Sequence, residues 1–262
     1  SGMGKFGAAN NLGTILGPVL VGSLIGMNVF EISTPQFGLL TPLIVMSLIM
    51  TAATIIVYVY LPDNHSTQPE QNKSPGIVLD LRLRYLMSIG IIIFTAFALV
   101  QSITAFYIQD RFGLDLDSTA QTTALLLGTM ALAAIVSQLT VVQRYKGSAL
   151  NLIKFSVPMF VLSVILIIFS PNFNLFYLGM ALMGLGMGLA SPGYTASASL
   201  NADDQSQGAA VGLAMVAPGI GFAVGPFLSG ILYSFSMNLP FLFILPIYLI
   251  LVLLLRKLEL LN

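Results

Sequence analysis

The chain has 262 residues, with ten basic and ten acidic side chains, one histidine and no cysteine, and 56% of it is hydrophobic against 8% charged. A water-facing domain carries about 25% charged residues, so a soluble globule is excluded, and a mean hydropathy of +0.93 points to an all-α protein that crosses a bilayer repeatedly. Zero net charge leaves no excess to neutralise nucleic-acid phosphates, and without cysteine there are no disulfides, thiolate zinc sites or iron–sulfur clusters. No metal or cofactor is expected.

A span needs about 20 apolar residues. In chain order the candidates are 6–27, 38–61, 85–108, 119–142, 151–170, 173–198, 207–235 and 238–256. Short polar or turn-forming breaks separate them, such as Asp110 to Ser118 and Ser170-Pro171-Asn172. One connection is different in kind. Pro62 to Ser74 has almost no apolar residue and reads as a flexible linker holding the one histidine, His65, in a solvated setting. It runs into Gly76–Arg84, where charge alternates with aliphatics, as expected of an interfacial segment. Three regions follow: 1–61 with two spans, 62–84 as a cytoplasmic connection, and 85–262 with six spans.

Basic residues orient such a chain. With eight spans, Lys5, Lys73, Arg82, Arg84, Arg144, Lys146, Lys154, Arg256 and Lys257 fall on one side, and Arg111 alone on the other. Both termini are therefore expected in the cytoplasm.

The first and seventh spans share a frame. Gly13, Gly17, Pro18, Leu20, Gly22 and Leu24 recur as Gly221, Gly225, Pro226, Leu228, Gly230 and Leu232, so both read G-x3-G-P-x-L-x-G-x-L. Two copies six helices apart imply two homologous six-helix halves related by an axis along the membrane normal. On that period the chain holds helices five to twelve of a twelve-helix protein. Each proline removes a helical N–H and bends its helix. The paired glycines, four apart on one face, let a neighbour approach closely. Either a moving seal or plain close packing satisfies this chemistry. In the sixth span Gly184-x-Gly186-x-Gly188 lies inside an apolar helix, without the strand a dinucleotide loop requires. It reads as a packing face, with Pro192 as a bend.

Polar side chains inside spans mark function or interhelical hydrogen bonds. In the third span Phe97, Gln101, Thr104 and Ile108 follow helical spacing, with Gln101 near mid-span. Phe97, Gln101, Thr104, Gln138 and Tyr194 are the candidate cavity residues; Gln101 has an interhelical hydrogen bond as its alternative use. Asp110 and Arg111 end the third span, as an interfacial anchor or a gate pair, and Asp203 and Asp204 precede the seventh. No ionisable residue lies deep in any span, and no metal-binding or nucleophilic constellation suggests an intramembrane enzyme.

With the Gly-Pro repeat in hand, the chain resembles the major facilitator superfamily, and within it the bacterial drug–proton antiporters that include the tetracycline efflux proteins. Their fifth helix carries G-x3-G-P-x2-G-G. Gly13, Gly17, Pro18 and Gly22 match it, while Val21 replaces the first glycine of the final pair. Gly184 to Pro192 resembles the family's tenth helix, and Gln207 to Gly230 its eleventh. Gln143-Arg144-Tyr145-Lys146-Gly147 is a degenerate echo of its basic loop motif. The resemblance implies a major facilitator bundle of about eight helices, lacking the first four, which in the family supply a coupling carboxylate and an arginine. It implies proton-coupled efflux of small amphipathic molecules or drugs by alternating access, with Gly13, Gly17, Pro18, Gly22, Gly221, Gly225, Pro226 and Gly230 in gating roles. The expected partners are a small-molecule substrate and the lipid bilayer, with a proton gradient as the energy source. The intact protein is expected to be a monomer in a bacterial cytoplasmic (inner) membrane. Two alternatives stand beside this: a metabolite uptake symporter of the same fold, and a non-transporting membrane protein or inactive truncated remnant.

Overall fold

The structure is a computed structural model that describes residues 35–60, 81–199 and 207–260. It divides into two compact units, Ser1–Val78 and Leu79–Asn262. The expected span at 6–27 with Gly13, Gly17, Pro18 and Gly22, the linker around His65, and Asp203 and Asp204 lie outside the described residues.

In the first unit the described element is α1, Pro35–Tyr60. Its segment Leu43–Tyr60 is apolar and long enough to cross a bilayer. The hydroxyls of Ser47, Thr51 and Thr54 donate to the carbonyls of Leu43, Ser47 and Met50, each at 2.8 Å. Backbone acceptors thus satisfy polar groups that lipid could not.

The second unit holds six helices: α2 (Leu81–Phe112), α3 (Leu116–Thr140), α4 (Ala149–Phe169), α5 (Phe173–Ser199), α6 (Gln207–Phe235) and α7 (Leu239–Leu260). With α1 this makes seven helices among the described residues that are able to span a membrane. α2 starts at Leu81, inside the segment expected to lie at the interface. Arginine is a good helix former and its long stem lets the charge reach the surface, so Arg82 and Arg84 can lie on the helix.

The short breaks have local causes. Gly113, at φ 62°, takes the left-handed position that ends α2, and Leu114 N–H closes the turn on the Gln109 carbonyl at 3.2 Å. Asp115 then caps α3, accepting from Ser118 N–H at 2.8 Å. Hydrogen bonds from Ser118, side chain and then backbone, hold the Asp115 carboxyl below its ordinary pKa. Asn172 caps α5 in the same way, accepting from Leu175 N–H at 3.1 Å.

Glycines set how the helices meet. On α5, Gly184 lies against the Met130 carbonyl of α3, and Gly188 against Ala134 and Ser137. Both numbers rise together, so α3 and α5 run parallel. Gly179, Gly186 and Gly193, seven apart, form a second face of α5 against Ile167, Phe160 and Ile153 of α4. There one number rises as the other falls, so the hairpin is antiparallel; the Ser163 hydroxyl crosses it to the Gly179 carbonyl at 2.7 Å.

The third seam joins α2 to α6. Gly90 meets Ala217, Phe94 and Thr95 meet Gly221, and Ala98 meets Gly225. Ser102 and Ser229 share a hydroxyl hydrogen bond of 2.8 Å at a separation of 127 residues. The pairs headed by Gly90, Phe94 and Ala98 keep the same offset, so the two helices run parallel and in register for about three turns. The six helices therefore alternate in direction. Their proximal end, where α2 begins and α7 finishes, carries Arg82, Arg84, Arg144, Lys146, Lys154, Arg256 and Lys257; the distal end carries Arg111.

α2 sits at the centre, with every residue from Ile93 to Val100 buried, as a helix apolar all round demands. α4 turns Phe155, Leu162, Ile165 and Phe169 outward, and α7 turns out Leu242, Leu249 and Leu253. These exposed stripes at helical spacing are the faces suited to lipid.

Candidate site: an aromatic cluster on α2, α5 and α6

The α2–α6 seam brings together four aromatic rings. Phe94 stands edge-on to Tyr194 of α5 with centroids 5.8 Å apart and lies 6.2 Å from Phe222 of α6. Phe97, one turn further along α2, is edge-on to Phe222 at 6.2 Å. Edge-to-face pairs at such distances are favourable by about 0.5–1.5 kcal/mol each beyond their buried area. Phe94, Phe97 and Tyr194 are buried, whereas Phe222 is 44% exposed. Phe222 also lies between Pro218 and Pro226. Pro226 has no N–H to return to the Phe222 carbonyl, so that acceptor has no partner in the helical ladder.

The cluster has few polar groups, and they are under-used. The Tyr194 hydroxyl and the Thr95 hydroxyl are buried and without a hydrogen-bond partner among the described residues. The Tyr194 ring rests on Gly90, where even a methyl group would overlap it. Gln101, one turn beyond Phe97, is half-buried and makes no hydrogen bond among the described residues. No Asp, Glu, Lys, Arg or His of the described residues is in ring contact with the cluster. The arrangement can hold a flat apolar surface and offer it neutral donors and acceptors at few points.

The structure treats the expected site residues unequally. Phe97 and Tyr194 come together through Phe94 and Phe222, neither of which stood out in the sequence. Gln101 borders them. The Thr104 side chain is fully buried, and its hydroxyl donates to the Val100 carbonyl at 2.7 Å, which uses its proton inside the helix. Gln138 is half-buried on α3 beside Ser137, at the level of Gly188. Gly221 and Gly225 are buried in the seam, while Pro226 is exposed and Gly230 has open space around it. Asp110 and Arg111 do not pair with each other: Asp110 accepts from the Tyr233 hydroxyl at 2.5 Å, and Arg111 turns to α4.

The Major Facilitator Superfamily profile matches residues 1–150 and 141–260. The chain belongs to this superfamily. The superfamily is one of membrane transporters rather than of enzymes. Among solved structures, the crystal structure of the human organic anion transporter MFSD10 (TETRAN) superposes with a TM-score of 0.62 over 94% of this chain, at 16% sequence identity. This chain spans 64% of the length of that one. At such identity the likeness is one of fold. No curated protein matches the chain.

Proposed function

We propose that the intact transporter exports a small apolar or amphipathic molecule in exchange for protons by alternating access, and that the aromatic cluster forms part of the cargo path. The observation that carries this reading is Phe222: a large exposed ring on a helix that contains two prolines, seated on two buried phenylalanines and bordered by Gln101, whose amide makes no hydrogen bond among the described residues. Proton exchange and outward direction draw their support from the G-x3-G-P frame, which the chain has in common with drug–proton antiporters. The MFSD10 structure is described as that of an organic anion transporter. Among the described residues no basic side chain is in ring contact with the cluster, which favours a neutral or amphipathic cargo over an anion. The basic proximal end favours the cytoplasm for that end, in a bacterial inner membrane, with the intact protein a monomer. Gly13, Gly17, Pro18, Gly22, Gly221, Gly225, Pro226 and Gly230 would carry the moving seals.

The test is transport of a planar aromatic dye by the full-length protein in lipid vesicles under an imposed pH gradient. Expulsion against the dye gradient, driven by inward proton flow, supports exchange. Dye accumulation coupled to protons instead supports the symporter, and no flux for a broad panel sinks the transporter reading. Phe222→Ala removes aromatic contacts of about 0.5–1.5 kcal/mol, so half-saturation should rise up to about tenfold. If Phe222→Ala and Gln101→Ala both leave every transported dye unaffected, the cluster is packing and not path.

A further inference from the structure

The distal end of the six-helix unit holds contacts that belong neither to the glycine seams nor to the aromatic cluster, and their hub is the last turn and a half of α2. Arg111 donates from Nη1 to the Ile168 carbonyl at 2.8 Å and from Nη2 to the Ser170 carbonyl at 2.6 Å. These acceptors lie at the C-terminus of α4, where a helix has no N–H left for its last carbonyls. The cation also sits at the negative end of the helix dipole. Arg111 donates as well to the Tyr107 hydroxyl, and Tyr107 donates to Asn238 Oδ1 at 3.0 Å, just before α7. The Tyr107 ring is 4.6 Å from Phe241 of α7. Asp110 receives Tyr233 from the end of α6, and Phe112 packs 4.2 Å from Phe173 at the start of α5.

Residues 107–112 thus reach α4, α5, α6 and α7, and Gly113 to Asp115 lead directly into α3. Adjacent residues on a helix point about 100° apart, which is why Asp110 and Arg111 serve different neighbours instead of each other. The proximal end is tied differently. Among the described residues its ion pair, Lys154–Glu259, joins α4 to α7, and Gly193 of α5 lies against Ala149 and Ile153 of α4. The α2–α6 seam starts at Ala217, immediately before Pro218, and nearer the proximal end Gly212 has open space while Met215 and Val216 are exposed.

We propose that Arg111 is a positioning residue that fastens the distal helix ends of the six-helix unit into one plate. The plate stands on these contacts alone; its use in transport rests on the reading given above.

Hydrogen exchange read by mass spectrometry on the full-length protein in lipid nanodiscs tests the plate without any substrate. Hydrogen bonds to a charged group are worth about 1.5–3 kcal/mol, so Arg111→Ala should speed local exchange at 166–170 and 238–242 by about tenfold or more, leaving 149–156 unchanged. Arg111→Lys keeps the charge but has no fork to span two carbonyls, and should resemble Arg111→Ala. Wild-type protection in Arg111→Lys, or unchanged exchange in Arg111→Ala, overturns the proposal. Should Arg111→Ala loosen the whole unit, Arg111→Cys/Ser170→Cys decides, since the chain has no other cysteine. A short bis-maleimide bridge should restore protection at 166–170 and 238–242, and failure to do so also overturns the proposal. The bridged protein should still transport dye at the wild-type rate. Bridged protein that is protected but inactive would show that the distal end must move, against the proposal. A wild type that moves no dye would instead sink the transport reading and leave the exchange results to stand.

Discussion

Gly225 is a tight point of the α2–α6 seam that can be probed with one methyl group. In Gly225→Ala the new Cβ would lie 2.7 Å from Ala98 Cβ, 2.8 Å from the Thr95 carbonyl oxygen and 2.9 Å from Leu99 N. Carbon atoms pack best at about 3.5–4.0 Å, so the shortfall is about 1 Å. None of the three obstructing atoms can rotate away, because two are backbone and the third is fixed to it. The helices must separate, and the Ser102–Ser229 hydrogen bond one turn on is stretched with them. Overpacking of this kind costs about 1–3 kcal/mol, and an interhelical hydrogen bond about 0.6 kcal/mol. Against this, alanine gains up to about 1 kcal/mol over glycine in a helix. The net expectation is a loss of about 2 kcal/mol. Gly230, five residues away, meets nothing within 4 Å, so Gly230→Ala keeps only the propensity gain and should be neutral or slightly stabilising. SDS-driven unfolding in mixed micelles, followed by far-UV circular dichroism because the chain has no tryptophan, compares the two. A Gly225→Ala protein as stable as Gly230→Ala would refute the seam.

A double-mutant cycle on Ser102→Ala and Ser229→Ala should return a coupling of about 0.6 kcal/mol, and additive effects would mean that the hydroxyls do not meet in the membrane. The Asp115 cap should show in the acid limb of stability. Its pKa is lowered on folding, so its contribution is present above the ordinary aspartate range and is lost as pH falls through the lowered folded value. Asp115→Ala should therefore be less stable than wild type at neutral pH, with the gap narrowing in acid; a gap that does not change with pH would contradict the ionised cap. Orientation can be read in intact cells by single cysteines: Asp117→Cys at the distal end should react with an impermeant maleimide and Ser88→Cys toward the proximal end should not. The reverse pattern would overturn the proposed orientation.

Much of the bundle was legible because lipid leaves a chain so few options. A backbone without water must close its hydrogen bonds locally, so apolar runs bounded by Asp115, Ser170 and Asn172 could only become helices, and they did. The start of α2 was harder to place. Alternating Leu81, Arg82, Leu83 and Arg84 suit an interface and a helix equally, and the fold places all four on the helix. Thr104 shows the opposite limit: spacing put it beside Gln101, but its hydroxyl had an acceptor one turn back at Val100, a choice that periodicity does not reveal.

The sequence by itself determined an all-α membrane chain, the places where it turns and the asymmetry of its positive charge, since each depends on burial or on local hydrogen bonding. The packing partners were decided by tertiary structure. Gly221 and Gly225 announced a close approach without saying to what; the 127-residue register with α2 supplied the answer. That register seated Phe222 on Phe94 and Phe97. At the distal end, Arg111 is a lone charge beside an acid in the sequence. In the fold it meets the last carbonyls of α4, because adjacent helical residues point about 100° apart and Asp110 is turned toward α6.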